Sequence, residues 1–497
     1  MKKTIIYMFT LVLLSVSCDE FLDVNENPNN PAISTPSLTV PVALQSFAAL
    51  NARTMTYLGN QLVVNWATPS NWSANAIYMR YDFSASDFTN IFETSYSSIF
   101  KNLTYISTYE DPTGAVDYTN YKAIATIVKG FQYQLLVDLY GDVPYSEANA
   151  RGENPTPVYD DAETIYKAVI DELTNVVDLI NAAPENAEDP GDQDIMFKGH
   201  MDEWAAFANS VKLRMLVRLS NTGQDAYITS QIALIDANGA GYIAESAATN
   251  PTSNGEGGYT SDASKQNPFW DYYRQAVNGN EANRGDFTIA SAHTTEYLTT
   301  TNDPRLERLY ASSLNNHDYK GAVQSTALPG TGFTSDELAK IGPGLLQSAS
   351  QDQIIMSLAE SLFVQAEATQ RGYIAGGDAA AKALYESAIE ASFTQLGAAD
   401  AATYYAQPIN NVSWDDSTDK IEAIITQKWI ALNGTSSIES WIDLTRTGFP
   451  SGLPIPAESG GVRPISLLYP SSEGSRNGNN VPSQSAGDVF TNAPFWR

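Results

Sequence analysis

Residues 121–144 read YKAIATIVKGFQYQLLVDLYGDVP. Tyr121, Ile124, Val128, Phe131, Leu135 and Leu139 recur three or four positions apart, which lays one apolar stripe along a helix. Gly141 and Pro144 end it, because glycine tolerates the left-handed exit and proline cannot continue the hydrogen-bond ladder. Gly130, inside the stripe, leaves room for a second helix to approach closely.

The same period recurs downstream. A helix opens at Asp160 with Glu163 three residues on, a capping-box-like start. It carries Tyr166, Val169, Leu173, Val176 and Ile180 on one face and stops before Pro184. Further helices are expected over Asp202–Ser220, Asp352–Gln370, Asp378–Phe393 and Asp419–Leu432. The connection Arg371–Gly377 contains three glycines, so the helices on either side of it form an antiparallel hairpin. Ala366-Glu367-Ala368 in the first, with Tyr385 and Ala388-Ile389 in the second, resembles a degenerate tetratricopeptide unit, but no regular period recurs, so the hairpins are not a uniform solenoid. Few segments alternate apolar and polar residues. The expected fold class is therefore mainly α, helical hairpins with long irregular insertions and little sheet.

The chain start carries a different signal. Lys2 and Lys3 precede an apolar run from Ile5 to Val16, which is shorter than the roughly 20 residues needed to span a bilayer and suits an export signal. Leu14-Ser15-Val16-Ser17-Cys18 resembles a bacterial lipobox, with Ser15 where leucine is usual. Residues 1–17 are expected to be a lipoprotein signal peptide, Cys18 the lipidated residue, and 18–36 a leader lying along the surface. Within it, Asp23-Val24-Asn25-Glu26-Asn27 spaces oxygen ligands like the start of a calcium loop, but Pro28 and Ser34 stand where that loop needs Gly and Glu. No metal or cofactor is expected.

Composition narrows the function. The 497 residues include 57 acidic against 28 basic side chains, a net charge of −29, with 43% hydrophobic residues. Such a chain folds, and it lacks the basic patches that nucleic acid requires. One cysteine excludes a disulfide framework and a cysteine-rich zinc site. His200, His293 and His317 lack metal-site spacing, and no nucleophile-elbow, zincin or P-loop motif is present. The protein is read as a non-enzyme whose acidic surface suits neutral ligands.

Several local motifs then converge. Lys129-Gly130-Phe131 and Leu136-Val137-Asp138-Leu139-Tyr140-Gly141-Asp142-Val143-Pro144-Tyr145 are followed by Trp204, Phe207-Ala208-Asn209-Ser210 and Lys212-Leu213-Arg214. Asp303-Pro304-Arg305, Ala366-Glu367-Ala368 with Arg371-Gly372, and Gln427-Lys428-Trp429 come next. Trp441, Asp443, Arg446 and Gly448, then Tyr469-Pro470, Glu473 and Asn477, complete a set that resembles the SusD/RagB family of outer-membrane nutrient-binding lipoproteins. Asp19 and Glu20, directly after Cys18, resemble the surface-export signal of Bacteroidetes lipoproteins. The resemblance implies a superhelical scaffold with four tetratricopeptide-like pairs. It also implies a SusC-like TonB-dependent transporter as partner, an outer-membrane location, and a glycan or, in some members, a peptide as ligand. Most motif residues have structural readings. Asp138 and Arg214 are candidate partners in a buried ion pair, and Arg305 and Arg446 can pin loops to helix ends.

Residues 37–497 are expected to form one domain. Its helical scaffold covers about 37–249 and 346–447, with a loop-rich, ligand-binding insertion at about 250–345 and a C-terminal loop region at 448–497. A sugar has an apolar face and a hydroxyl rim, so aromatic rings among polar residues are the natural candidates to hold it. Two clusters qualify. One holds Trp66, Trp72, Asn75, Tyr78 and Tyr81; the other, in the insertion, holds Trp270, Tyr272 and Tyr273. Trp204, Trp429 and Trp441 sit at helical or motif positions and are read as core. The alternatives are a helical scaffold lipoprotein that binds only proteins, or a glycoside hydrolase working through two carboxylates.

Overall fold

A computed structural model describes residues 34–150, 153–253, 256–262, 264–276, 278–324 and 332–497. Cys18 and the calcium-like run at 23–27 lie outside them. Helices dominate. Helix α1 (Pro36–Leu50) continues through a π-helical stretch, Asn51–Met55, into α2 (Thr56–Leu62). Among the described residues four helical hairpins follow. They are α3 (Thr119–Tyr140) with α4 (Ala162–Asn181), α5 (Met201–Arg218) with α6 (Asp225–Asn238), α9 (Leu358–Gln370) with α10 (Gly377–Leu396), and α11 (Lys420–Ala431) with α12 (Ser437–Thr447). Two short helices, α7 (Pro268–Tyr273) and α8 (Asn283–Phe287), lie between the second and third hairpins in the chain.

The packing runs α3 on α4, α4 on α5, α5 on α9, α9 on α10 and α11, α11 on α12, and α12 back on α2. Gly130 of α3 faces α4 so closely that an added Cβ would stand 3.2 Å from Leu173 and 3.3 Å from Val169. Trp204, Trp429 and Trp441 are core residues. Among the described residues no helix is long and apolar enough to cross a membrane.

Where these helices meet, the interior is charged rather than oily. Arg214 of α5 pairs with Glu360 of α9 at 2.8 Å and approaches Glu439 of α12 at 3.5 Å. Arg218, one turn on, pairs with Glu439 and lies 3.6 Å from Asp138 of α3. Asp138 and Arg214 are therefore not each other's partners, as the sequence suggested; Gln134 stands between, accepting from Arg214 at 2.5 Å and donating to Asp138 at 2.5 Å. The other Asp138 oxygen accepts the Trp496 indole N–H at 2.7 Å, a contact across 358 positions of sequence. Arg446 ties Glu367 of α9, at 2.6 Å, to Asp443, which also receives Lys428 at 2.8 Å. Isolated charges in such an interior would be untenable, but here each charge has an opposite partner. Burial pushes the Asp138 carboxyl up to about 6, nearby Glu439 adding to the effect and Arg218 opposing it. Burial acts on Glu367, Glu439 and Asp443 too, but their cationic partners outweigh it and hold all three below the usual carboxylate range.

Several element boundaries differ from the sequence reading. The cap of α4 is Asp161, which accepts from Thr164 N–H, while Asp160 receives the backbone N–H groups of Tyr145 and Ser146 and fixes the preceding loop. The region expected to begin a helix at Asp352 is strand β6 (Gln353–Met356), paired antiparallel with β2 (Ala247–Thr249), and α9 starts only after the Ser357 cap. The 250–345 region is not merely loop. Besides α7 and α8 it contributes β3 (Ile289–Ala290), β4 (Tyr310–Ala311) and β5 (Lys340–Ile341). With β1 (Trp66–Ala67) these form a small sheet in the order β1-β3-β5-β4. That sheet brings the two aromatic clusters to one place.

Candidate ligand-binding site

Three local structures build the site. The first is a 3-10 helical stretch, Ser70–Arg80, bent at Trp72 (φ −120°, ψ 40°) and following directly on β1. The second is α7. Pro268 starts it without needing an N–H partner, and the Asn267 side chain caps it by accepting from Phe269 N–H and Trp270 N–H, both at 2.9 Å. Phe269 and Tyr273, four residues apart, turn inward, which leaves Trp270, Asp271 and Tyr272 partly exposed. The third is α8. An added Cβ on its Gly285 would lie 2.1 Å from the Tyr273 carbonyl oxygen, so only glycine lets α8 lie backbone to backbone against α7.

The candidate residues separate sharply. Trp66, Tyr81 and Tyr273 are 0%, 2% and 1% exposed, which corrects their assignment as ligand contacts. Trp66 sits on β1 and meets the Tyr273 ring edge-on at 5.3 Å, so both rings are spent joining the sheet to α7. Tyr81 ends the Ser70–Arg80 helix in a left-handed conformation, and its hydroxyl accepts from Arg463 at 3.2 Å. Trp72, Tyr78, Trp270 and Tyr272 keep part of their surface open. Asn75 lies on the same helix as Trp72, and its side chain falls outside the described residues.

Three of the open rings, Trp72, Tyr78 and Tyr272, are linked through Tyr57, Arg284 and Phe287. The Trp72 ring lies 5.5 Å from Phe287 of α8, and its indole N–H donates to Asp286 at 2.7 Å. Asp286 also receives Lys340 at 2.9 Å and Ser335 Oγ at 3.3 Å. Burial raises its carboxyl, but these donors together hold it below the usual range. Tyr272 carries the Arg284 guanidinium on its face at 4.0 Å. Tyr57 links the halves from beneath, edge-on to Tyr78 at 6.0 Å and to Phe287 at 6.2 Å. Arg53 pairs with Asp271 at 2.5 Å and donates to the Pro268 carbonyl at 3.2 Å, anchoring α7 to the π-helical stretch between α1 and α2. Beside Tyr272 opens a cleft of about 460 Å³, rimmed by Asn278, Asn280 and Asn283.

Arg284, Asp286 and Phe287 were not among the sequence candidates. Arg284 and Phe287, three apart, fall on one helical face, but a five-residue helix is too short for its period to stand out. Two larger clefts, of about 730 and 670 Å³, open elsewhere. Their aromatic lining is Phe197 and Tyr242 in one and Phe269 alone in the other.

Comparison with known proteins agrees with this architecture. A chitin-binding SusD homolog from Flavobacterium johnsoniae superimposes with a TM-score of 0.73 at 22% identity, over 89% of this chain and 94% of that one. A Bacteroidetes SusD-like protein, AC2a, gives 0.72 at 21% identity, over 93% and 99%. A further chitin-binding protein gives 0.70 at 24% identity, over 88% and 95%. A search of the curated proteins found no match. The model of the family SusD-like_2, described as starch-binding and associating with the outer membrane, matches residues 28–470, and the chain belongs to that family.

Proposed function

We propose that this protein is a cell-surface lipoprotein that holds an oligosaccharide on the Trp72–Tyr272 platform and passes it to a SusC-like TonB-dependent transporter in the outer membrane. The observation that carries the reading is the contact of the partly open Trp72 ring with Phe287, which together with Tyr272 and Arg284 lines an asparagine-rimmed cleft. Stacking on Trp72, Tyr78, Trp270 and Tyr272 takes the apolar sugar faces, while Asn75 and the rim asparagines take the hydroxyls. Chitin-binding neighbours of the same fold and a family described as starch-binding support a glycan over a peptide. Acylation of Cys18, with the leader as tether, supplies the anchor. Holding without turnover is the role assigned; no residue is given a catalytic part.

Calorimetry of a soluble form lacking residues 1–18, titrated with chitin, starch and other oligosaccharides and with peptides, tests the reading. Saturable glycan binding without product formation is the expected result. Co-purification with a transporter alongside no binding of any oligosaccharide would favour a protein-only scaffold, and release of shortened glycans would favour a hydrolase.

A further inference from the structure

The cations flanking the cleft are mostly neutralised. Arg53 is closed by Asp271 at 2.5 Å, Arg274 by Glu281 at 3.0 Å, and Lys340 by Asp286 at 2.9 Å. Arg284, which lines the cleft itself, forms neither an ion pair nor a hydrogen bond among the described residues. It is held by rings alone. Its guanidinium carbon lies 4.0 Å over Tyr272 and 5.6 Å from both Tyr57 and Phe287. Aromatic faces satisfy a guanidinium through its flat surface and leave the N–H donors at its edge unspent. Three rings hold the guanidinium in place before any ligand arrives.

A planar fork of this kind matches an oxyanion, through two parallel N–H···O bonds. We propose that Arg284 reads an anionic substituent, the carboxylate of a uronic acid or a sulfate ester, on the glycan held at the platform. The inference rests on the glycan reading given above. It revises the expectation of a neutral ligand drawn from net charge. A charge of −29 acts over distances that physiological salt screens within about 8 Å, whereas a guanidinium in contact with its anion is screened far less.

Matched pairs of oligosaccharides provide the test. Galacturonate oligomers are set against their methyl esters, mixed glucuronate-containing oligomers against their carboxyl-reduced forms, and sulfated galactan oligomers against desulfated ones. Calorimetry on the wild-type protein and on Arg284→Met and Arg284→Lys measures each pair. The expected result is a preference of about 10-fold or more for the charged member of at least one pair, the scale of a charge-assisted hydrogen bond. Arg284→Met should collapse that preference, and Arg284→Lys should restore part of it, with unchanged circular dichroism showing that both variants fold. A preference confined to the carboxylate pairs assigns a uronate, and one confined to the sulfate pair assigns a sulfate ester. Equal binding of both members, or a preference that survives Arg284→Met, overturns the proposal and leaves the glycan reading standing. Binding of neither member of any pair, nor of any other oligosaccharide, overturns both.

Discussion

Trp66 and Trp72 are six residues apart in the same Asn-rich stretch, and nothing local distinguishes them. The difference lies in what each reaches. Trp66 lies on β1 with the Tyr273 ring packed against it, whereas Trp72 sits at the bend and packs against Phe287. Replacing each by alanine should therefore move different observables. Trp72→Ala and Tyr272→Ala should each weaken glycan binding by about 1–3 kcal/mol, by analogy with stacking on nucleic-acid bases, with little change in urea midpoint. Trp66→Ala should instead cost about 3–5 kcal/mol of folding stability in urea titrations. A strong binding loss at unaltered stability for Trp66→Ala would put that ring back in the site. The aromatic content of the site was legible in the sequence, because rings among asparagines are unusual. Which rings are open was not, since that depends on β1 pairing with β3 more than 200 residues later.

Among the elements, the platform depends on the contact of α7 with α8. Gly285→Ala would drive a methyl group into the Tyr273 carbonyl, so α8 must shift and take Arg284, Asp286 and Phe287 with it. We expect a loss of about 1–3 kcal/mol in stability together with weaker ligand binding than Trp72→Ala alone produces. Unchanged binding in this variant would show that α8 is not part of the site. Asn267→Ala removes the α7 cap and should cost about 1 kcal/mol, read as a lowered melting temperature. The long amphipathic helices were legible, α3 and α4 above all, because a clean apolar stripe needs no tertiary knowledge. Helix α12 was not. Its inward face carries Glu439, Asp443 and Arg446 beside Ile438, Trp441 and Ile442, so a search for apolar stripes passes over it. Strand β6 reads in sequence as the start of α9, because an apolar run as short as Ile354-Ile355-Met356 suits either structure until its partner is known.

For the molecule as a whole, the charged interior joins hairpins that are far apart in sequence. Glu439→Gln leaves Arg214 and Arg218 short of a counter-charge and should cost about 3–5 kcal/mol, measured by urea unfolding. The pH dependence has two opposed parts. Glu367, Glu439 and Asp443 titrate lower in the fold than in the unfolded chain, so their stabilisation is present above the ordinary carboxylate range and is lost as pH falls through their folded values. Asp138 has the opposite sign. With its carboxyl raised to about 6, the folded state binds its proton more tightly, so stability falls as pH rises from about 4 to 6. Asp138→Asn should remove that fall, making the variant's stability rise relative to wild type across the same interval. A constant difference between the two proteins from pH 4 to 7 would contradict the assignment. The superhelix itself was legible from the ordered motifs, but the pairing inside it was not, since three arginines, one lysine and five acids admit many matches.

The Trp496–Asp138 contact has a consequence in time. The acid is synthesised 358 residues before the indole that caps it. Until then the Asp138 oxygen is short of its donor, and the hairpins around it lack the partner that completes their centre. The interior acts as a clasp that closes late, after nearly all of the described chain has been made.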